Sequence, residues 1–221
     1  NAIIGYSEML AEDAEDEGHV EMIPDLDKIN AAGKHLLALI NDILDLSKIE
    51  AGRMDLFLET FNLRQMLDEA VATVMPLITK NENELETDFA DDLGNARVDL
   101  TKLRQALFNL LSNAAKFTEN GIVTLTVWRE PAAGEEGAEQ VFFEVRDNGI
   151  GIPEDKLGTI FDEFRQADDS TTRRFGGTGL GLATVHGIVK QHGGHIDMST
   201  TAGEGTTFSL FLPALPVESP P

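Results

Sequence analysis

There is no cysteine anywhere in the 221 residues. That excludes a disulfide framework and a thiolate zinc site, and it fits a reducing compartment. Basic residues are scarce: 17 Lys and Arg stand against 39 Asp and Glu, a formal charge of -22. A field of that sign repels nucleic acid and anionic membrane surfaces, so no nucleic-acid partner is expected and any polyanion must be gripped locally. No apolar run approaches the ~18 residues of a membrane span, and no signal peptide is visible. An initial Met is missing too. The chain opens on "NAIIGYSEML", already the middle of an amphipathic helix, which predicts a piece of a longer protein. Room is left upstream for a sensor or a membrane anchor; the expected location is cytoplasmic, with any tether supplied by those upstream segments.

What is present has an organised pattern. From Asn1 to about Ala51, Leu26, Ile29, Leu36, Ile40 and Ile43 follow three-and-four spacing, while Leu37, Leu39, Leu44 and Leu46 widen the stripe. A single partner helix is too narrow to cover it. The acidic, Gly-containing "EDAEDEGH" at 12–19 predicts the break of a helical hairpin, and two such hairpins make a four-helix bundle, hence a homodimer. Packing of the hairpin on the remainder of its own chain is the alternative. Beyond "EAGRM" alternation takes over: "IVTLTVW" (122–128), "VFFEVR" (141–146) and "TTFSLFL" (206–212) predict strands, the first two an antiparallel hairpin about "EPAAGEEGAE". Helices are predicted near 62–78, 100–117 and 180–192, the last stopped by Gly193 and Gly194. These elements predict an α+β layer with helices on one face of an antiparallel or mixed sheet. The domains expected are 1–56, a helical hairpin, and 57–214, the α+β unit, with 215–221 as a Pro-rich tail or linker.

Three stretches carry chemistry. In "DLTKLRQALFNLLSNAAKFTENG" (99–121), with Asp99 as N-cap, Leu103, Leu107, Leu110, Leu111, Ala114 and Phe117 cluster on one side of a helix. Lys102, Gln105, Asn109, Asn113 and Lys116 gather on the other. Carboxamides one turn apart offer neutral oxygens to a hard cation such as Mg2+, and lysines on the same stripe suit phosphate. A plain solvated face is the competing reading. Next, "VRDNGIGIPEDKLGTIFDEF" ends a strand in Asp147, which when ionised only accepts hydrogen bonds and so suits an exocyclic amine. Gly149 and Gly151 follow, and glycine permits a sharp turn and lets a planar ligand approach the backbone. Lastly, "RRFGGTGLGLATVHGIV" (173–189) places glycines ahead of a helix, where free amides face anions. It is not the dinucleotide fingerprint, because the order is G-x-G-x-G and the polar "RQADDSTTRR" before it is no buried strand.

Taken in order, these stretches resemble the dimerisation and ATP-binding core of sensor histidine kinases over residues 1–213. "NLLSNAAKFT" is similar to that family's N box, "DNGIGI" to its G1 box, "IFDEFRQAD" to its F box, "GGTGLGLA" to its G2 box, and "HLLALINDILDLSKIEAGRM" to its second bundle helix. The resemblance implies a Bergerat-type α/β sandwich that binds ATP and Mg2+, behind a dimeric four-helix bundle. It implies Mg2+ on Asn113 with Asn109, phosphate on Lys116, and adenine at Asp147 with Gly149, Gly151, Ile152, Phe117 and Thr207 or Thr206. Phe161 and Phe164 would anchor a lid near 165–178, with Gly177, Thr178, Gly179, Leu180, Gly181 and Leu182 closing over the triphosphate. ATPases of the same superfamily, of the chaperone, mismatch-repair and gyrase type, carry Glu where Asn109 stands. Lacking that carboxylate, water has no general base, and transfer to a histidine imidazole is favoured over hydrolysis.

The resemblance also places the acceptor histidine seven positions before Asn1, and none of His19, His35, His186, His192 and His195 has its context. A structural or solvated role is expected for each, and the 221-residue chain should not label itself. The implied partner is the receiver domain of a response regulator, which takes the phosphoryl group onto an aspartate. A catalytically silent dimeric scaffold that senses nucleotide is the alternative function.

Overall fold

The computed structural model describes residues 2–53, 55–131, 139–161 and 179–214. The chain divides into two compact units, residues 1–47 and 48–221.

In the first unit α1 (Ala2–Asp16) is followed by a 3-10 turn (Val20–Met22) and α2 (Ile23–Glu50). The break falls at the end of the expected 12–19 run, between Asp16 and Val20. Helix α1 runs through Asp16, since Glu and Ala are good helix formers, and the chain turns at Gly18 with φ +79. The helices meet at polar and small residues: Asn30 Nδ2 donates to Ser7 Oγ at 3.0 Å, and a Cβ on Gly33 would stand 3.1 Å from Ile4 Cγ1. Ile3, Tyr6, Leu10, Ile29, Leu36 and Ile40, by contrast, are each 46% or more exposed. The hairpin therefore carries a broad apolar face that its own two helices leave uncovered.

The second unit is built on a five-stranded sheet in the order β2 (Glu84–Phe89), β4 (Ile122–Pro131), β5 (Glu139–Asp147), β7 (Gly205–Ala214), β6 (His195–Thr201). Strands β2 and β4 are parallel and all other neighbours antiparallel, so the sheet is mixed. A separate antiparallel pair joins β1 (Glu59–Asn62) to β3 (Asn95–Val98). Helices α3 (Leu63–Lys80), α4 (Leu100–Phe117) and α5 (Gly181–Gln191) bury Leu67, Leu107, Leu111 and Ile188 in one cluster with Val123, Leu125, Phe143, Val145 and Leu210 of the sheet. Alternate residues of the strands are only half-buried, among them Trp128 and Phe142, which stack at 5.1 Å. The predicted hairpin about 130–139 is present, with Pro131 opposite Glu139.

Both ends of α4 are capped by side chains. At the start, Asp99 Oδ1 accepts from the Lys102 N–H at 3.0 Å, a bond worth about 1 kcal/mol. At the finish, Asn83 Nδ2 donates to the carbonyls of Ala115 (3.0 Å) and Thr118 (2.8 Å), and its Oδ1 accepts from the Gly121 N–H. Asn81 Nδ2 adds a bond to the Ala115 carbonyl. The Ala115 carbonyl, which the helix end would leave bare, is satisfied twice, and the last turn of α4 is pinned.

Candidate functional site

The polar stripe of α4 is not a freely solvated face. Lys102, Gln105, Asn109, Asn113 and Lys116 are all half-buried, whereas Thr101, Arg104 and Phe108 are the exposed positions. Arg104 pairs with Glu69 of α3 and stays out of the stripe. Asn109 Nδ2 donates to the Gly181 carbonyl at 3.4 Å, which brings the first residue of α5 against the middle of α4. The Asn113 carboxamide bonds to no described residue. Lys116 holds its ammonium 4.7 Å from the Phe117 ring centre, and burial pulls its pKa below the usual lysine range. A desolvated ammonium of this kind gains when an anion joins it.

The end of α4 leads into the loop after β5. The Phe117 carbonyl accepts from the Ile150 N–H at 3.2 Å. A Cβ on Gly149 would stand 2.2 Å from that same carbonyl oxygen, and one on Gly151, at φ +63, 2.1 Å from the Thr201 carbonyl. Both glycines are thus required by backbone packed on backbone. The sharp turn expected of these glycines is present, with Gly151 in the left-handed region. Thr200, which sequence reasoning passed over, latches the loop: its Oγ1 accepts from the Ile152 N–H and donates to the Gly205 carbonyl, each at 2.9 Å. It lies in "TTAGEGTT", which carries no signal beyond that of a turn.

Asp147 closes this surface. It is 9% exposed, and its Oδ1 accepts from the N–H groups of Gly149 (2.9 Å) and Thr206 (3.3 Å). Its Oδ2 accepts from no described residue. Burial raises its pKa above the usual carboxylate range, opposed by the two backbone bonds. One oxygen is therefore fixed by the protein, leaving the other as an acceptor of defined direction.

The register assigns the threonines. Thr206 lies opposite Asp147 and Thr207 opposite Arg146. Successive side chains alternate across a sheet, so Thr206 shares the Asp147 side and Thr207 points to the other. Thr207 is thereby corrected: Thr206, buried at 6%, is the threonine beside Asp147.

Ile152, Phe161 and Leu182 are partly buried against the core, and Phe161 packs on His186 at 5.5 Å between ring centres. Leu180 is 1% exposed, so its side chain belongs to the interior, and its carbonyl accepts from the N–H and Oγ1 of Thr184, each at 2.9 Å. Gly179 adopts φ +71, and the first turn of α5 has no side-chain cap. A Cβ on Gly181 would meet Asn109 Cγ at 3.7 Å, an ordinary contact, so packing does not demand glycine there. Phe164, Gly177 and Thr178, with the lid near 165–178, lie outside the described residues.

The order of elements and the boxes they carry have counterparts. Residues 98–216 match the family described as histidine kinase-, DNA gyrase B- and HSP90-like ATPase, and residues 1–52 match the His Kinase A phospho-acceptor domain. The chain belongs to the sensor histidine kinase family. Among relatives of this histidine kinase core, the circadian input-output histidine kinase CikA of Synechococcus elongatus is 45% identical over 190 residues, 84% of this chain and 24% of that protein. The signal transduction histidine-protein kinase BarA of Escherichia coli K12 is 38% identical over 213 residues, 94% of this chain and 22% of that protein. The chain thus spans about a quarter of the length of these curated relatives. In three dimensions it is similar to full-length ShkA in complex with AMPPNP, with TM-score 0.72 and 30% identity over 88% of this chain and 39% of that one. The catalytic domain of histidine kinase ThkA matches with TM-score 0.57 and 26% identity over 72% of this chain and 96% of that one. No described helix is long and apolar enough to cross a membrane.

Proposed function

We propose that this chain is the ATP-dependent catalytic core of a two-component histidine kinase, which moves the γ-phosphoryl group of ATP to a histidine of the helical unit for relay to a receiver-domain aspartate. The observation that carries this reading is Asp147: a buried carboxylate with one oxygen held by two backbone N–H groups and the other without a described partner. Such an oxygen suits the adenine amine. The surface that continues from it through Phe117 to Lys116, Asn113 and Asn109 suits the phosphates.

Asn113 and Asn109 fit a magnesium ion, because they offer neutral oxygens on one half-buried stripe and Asn113 is uncommitted among the described residues. Bound there, the ion supplies charge neutralisation for the phosphates. A phosphate oxygen beside Lys116 would offset the burial that pulls its pKa down. The uncapped start of α5 offers backbone donors on the Asn109 side. Bond-making to nitrogen and bond-breaking to ADP then depend on alignment and charge, and the chain needs no general base for a neutral imidazole nucleophile. An amide at 109 is consistent with that chemistry and not with activation of water.

The uncovered face of the α1–α2 hairpin supports a homodimer, since apolar patches of that breadth are rare on monomers. Calorimetry with magnesium-loaded ATP tests the site. Wild-type chain should bind, Asp147→Asn should lose about 100-fold in affinity because the amide presents a donor or a weaker acceptor to the amine, and Asn113→Ala should lose about tenfold. Equal affinities in all three would remove the assignment.

A further inference from the structure

Asp99 is 6% exposed and makes more hydrogen bonds than an N-cap requires. Beyond the capping bond from Lys102, its Oδ2 accepts from the Phe57 N–H at 3.0 Å, and its own N–H donates to His192 Nε2 at 3.2 Å. His192 is the C-cap of α5, with Nδ1 lying 2.8 Å from the Ile188 carbonyl oxygen. A donor into Nε2 makes that nitrogen the acceptor, which leaves Nδ1 as the donor to the Ile188 carbonyl. Both ring nitrogens are committed and the orientation of the imidazole is fixed.

This bond ties the start of α4 to the end of α5, and a second described bond ties the two helices further along. It runs from Asn109 Nδ2 to the Gly181 carbonyl. From Asp99 to Asn109 is 10 residues and from Gly181 to His192 is 11, spans of about 15 and 16 Å at the helical rise, so the two helices run antiparallel and in step. Between the ties, Leu103, Val185 and Val189 belong to the shared apolar core. Apolar contact is non-directional and tolerates sliding, whereas hydrogen bonds fix position.

We propose that Asp99 and His192 are positioning residues for the nucleotide site. Their bond sets the axial register of α5 on α4, and so fixes where Gly179 and Gly181 stand relative to Asn109. Through Oδ2 the same carboxylate anchors the segment entering at Phe57 to this point. The proposal rests on the nucleotide-binding reading above.

Two variants of the full 221-residue chain separate it from a merely structural role. In His192→Asn the shorter amide keeps a donor for the Ile188 carbonyl but cannot reach the Asp99 N–H. In His192→Gln the longer amide keeps an oxygen for Asp99. Calorimetry with magnesium-loaded ATP on protein shown to be folded by thermal melting should give about tenfold weaker binding for His192→Asn, the size of one lost buried hydrogen bond, and recovery to within about threefold of wild type for His192→Gln. Wild-type affinity in His192→Asn overturns the proposal, as does a His192→Gln that binds no better than His192→Asn. If His192→Asn does not fold, His192→Gln alone decides: wild-type affinity with a wild-type melting profile supports the tie, and a tenfold loss in folded protein overturns it. No binding by wild type itself overturns the nucleotide reading and this proposal together.

Discussion

The two units of this chain bury apolar surface in different ways. In residues 48–221 the helices close over the sheet so completely that Leu107, Leu111, Leu125 and Leu210 are 0% exposed. In the α1–α2 hairpin Tyr6 is 63% and Leu36 51% exposed. One unit closes its core as a single copy, while the other leaves an apolar face uncovered. The candidate site lies on the finished unit, where the Asp147 carboxylate is held by two backbone N–H groups, and the proposed assembly would use the unfinished one.

Breaking the finished unit should produce the largest effect. Gly151→Ala forces a Cβ to 2.1 Å from the Thr201 carbonyl at φ +63, and urea unfolding should show a loss of about 3 kcal/mol or more. Gly181→Ala, whose Cβ finds ordinary space, should shift stability by less than about 0.5 kcal/mol. Equal effects at the two glycines would refute the account of why each is there.

Charging the unfinished unit is the complementary cut. The double change Leu36→Glu with Ile40→Glu should turn a dimer into a monomer in sedimentation, weakening association by about 100-fold or more through buried charge. ATP affinity should stay at the wild-type value. Loss of nucleotide binding in a folded monomer would mean the division of labour is wrong.

Smaller changes sharpen the picture of the site. Asn83→Ala strips two carbonyl partners and one amide partner from the end of α4, and should lower stability by about 1–3 kcal/mol in the same unfolding assay. Asp147→Asn should act in the opposite direction on the ligand-free protein. Burial holds the Asp147 pKa above its unfolded value, so between the two values the folded state binds more protons than the unfolded state. Stability is then highest below the unfolded value, falls as pH rises through that window, and stays lower above it. The asparagine variant lacks this fall, and its thermal midpoint at neutral pH should be slightly raised. A lower midpoint would mean the two backbone bonds outweigh desolvation.

Periodicity made much of this legible. Strands β4, β5 and β7 and helices α3, α4 and α5 stand within a few residues of where alternation and helical spacing put them, and the α4 stripe is as drawn. Strands β1 and β3, four residues each, are too short for a period to show. In β2, "ELETDF", charges at 84, 86 and 88 hide the strand, which among the described strands pairs with β4 alone. The reason for Gly149 and Gly151 was not legible either, since the atoms they press against, the Phe117 and Thr201 carbonyls, are far away in the chain. The choice between Thr206 and Thr207 is a matter of parity. Only the pairing of β5 with β7 fixes it. Asp99 was read as a cap, but its bonds to Phe57 and His192 depend on tertiary contacts that no local pattern encodes.

Phosphoryl transfer to a supplied acceptor tests the central claim most directly. The 221-residue chain, γ-labelled ATP and magnesium are mixed with a separate helical hairpin carrying an acceptor histidine, and label is followed on both polypeptides and in free phosphate. The account predicts acid-labile label on the hairpin, none on the chain itself, and little release of phosphate. Steady phosphate release with an unlabelled hairpin would contradict it.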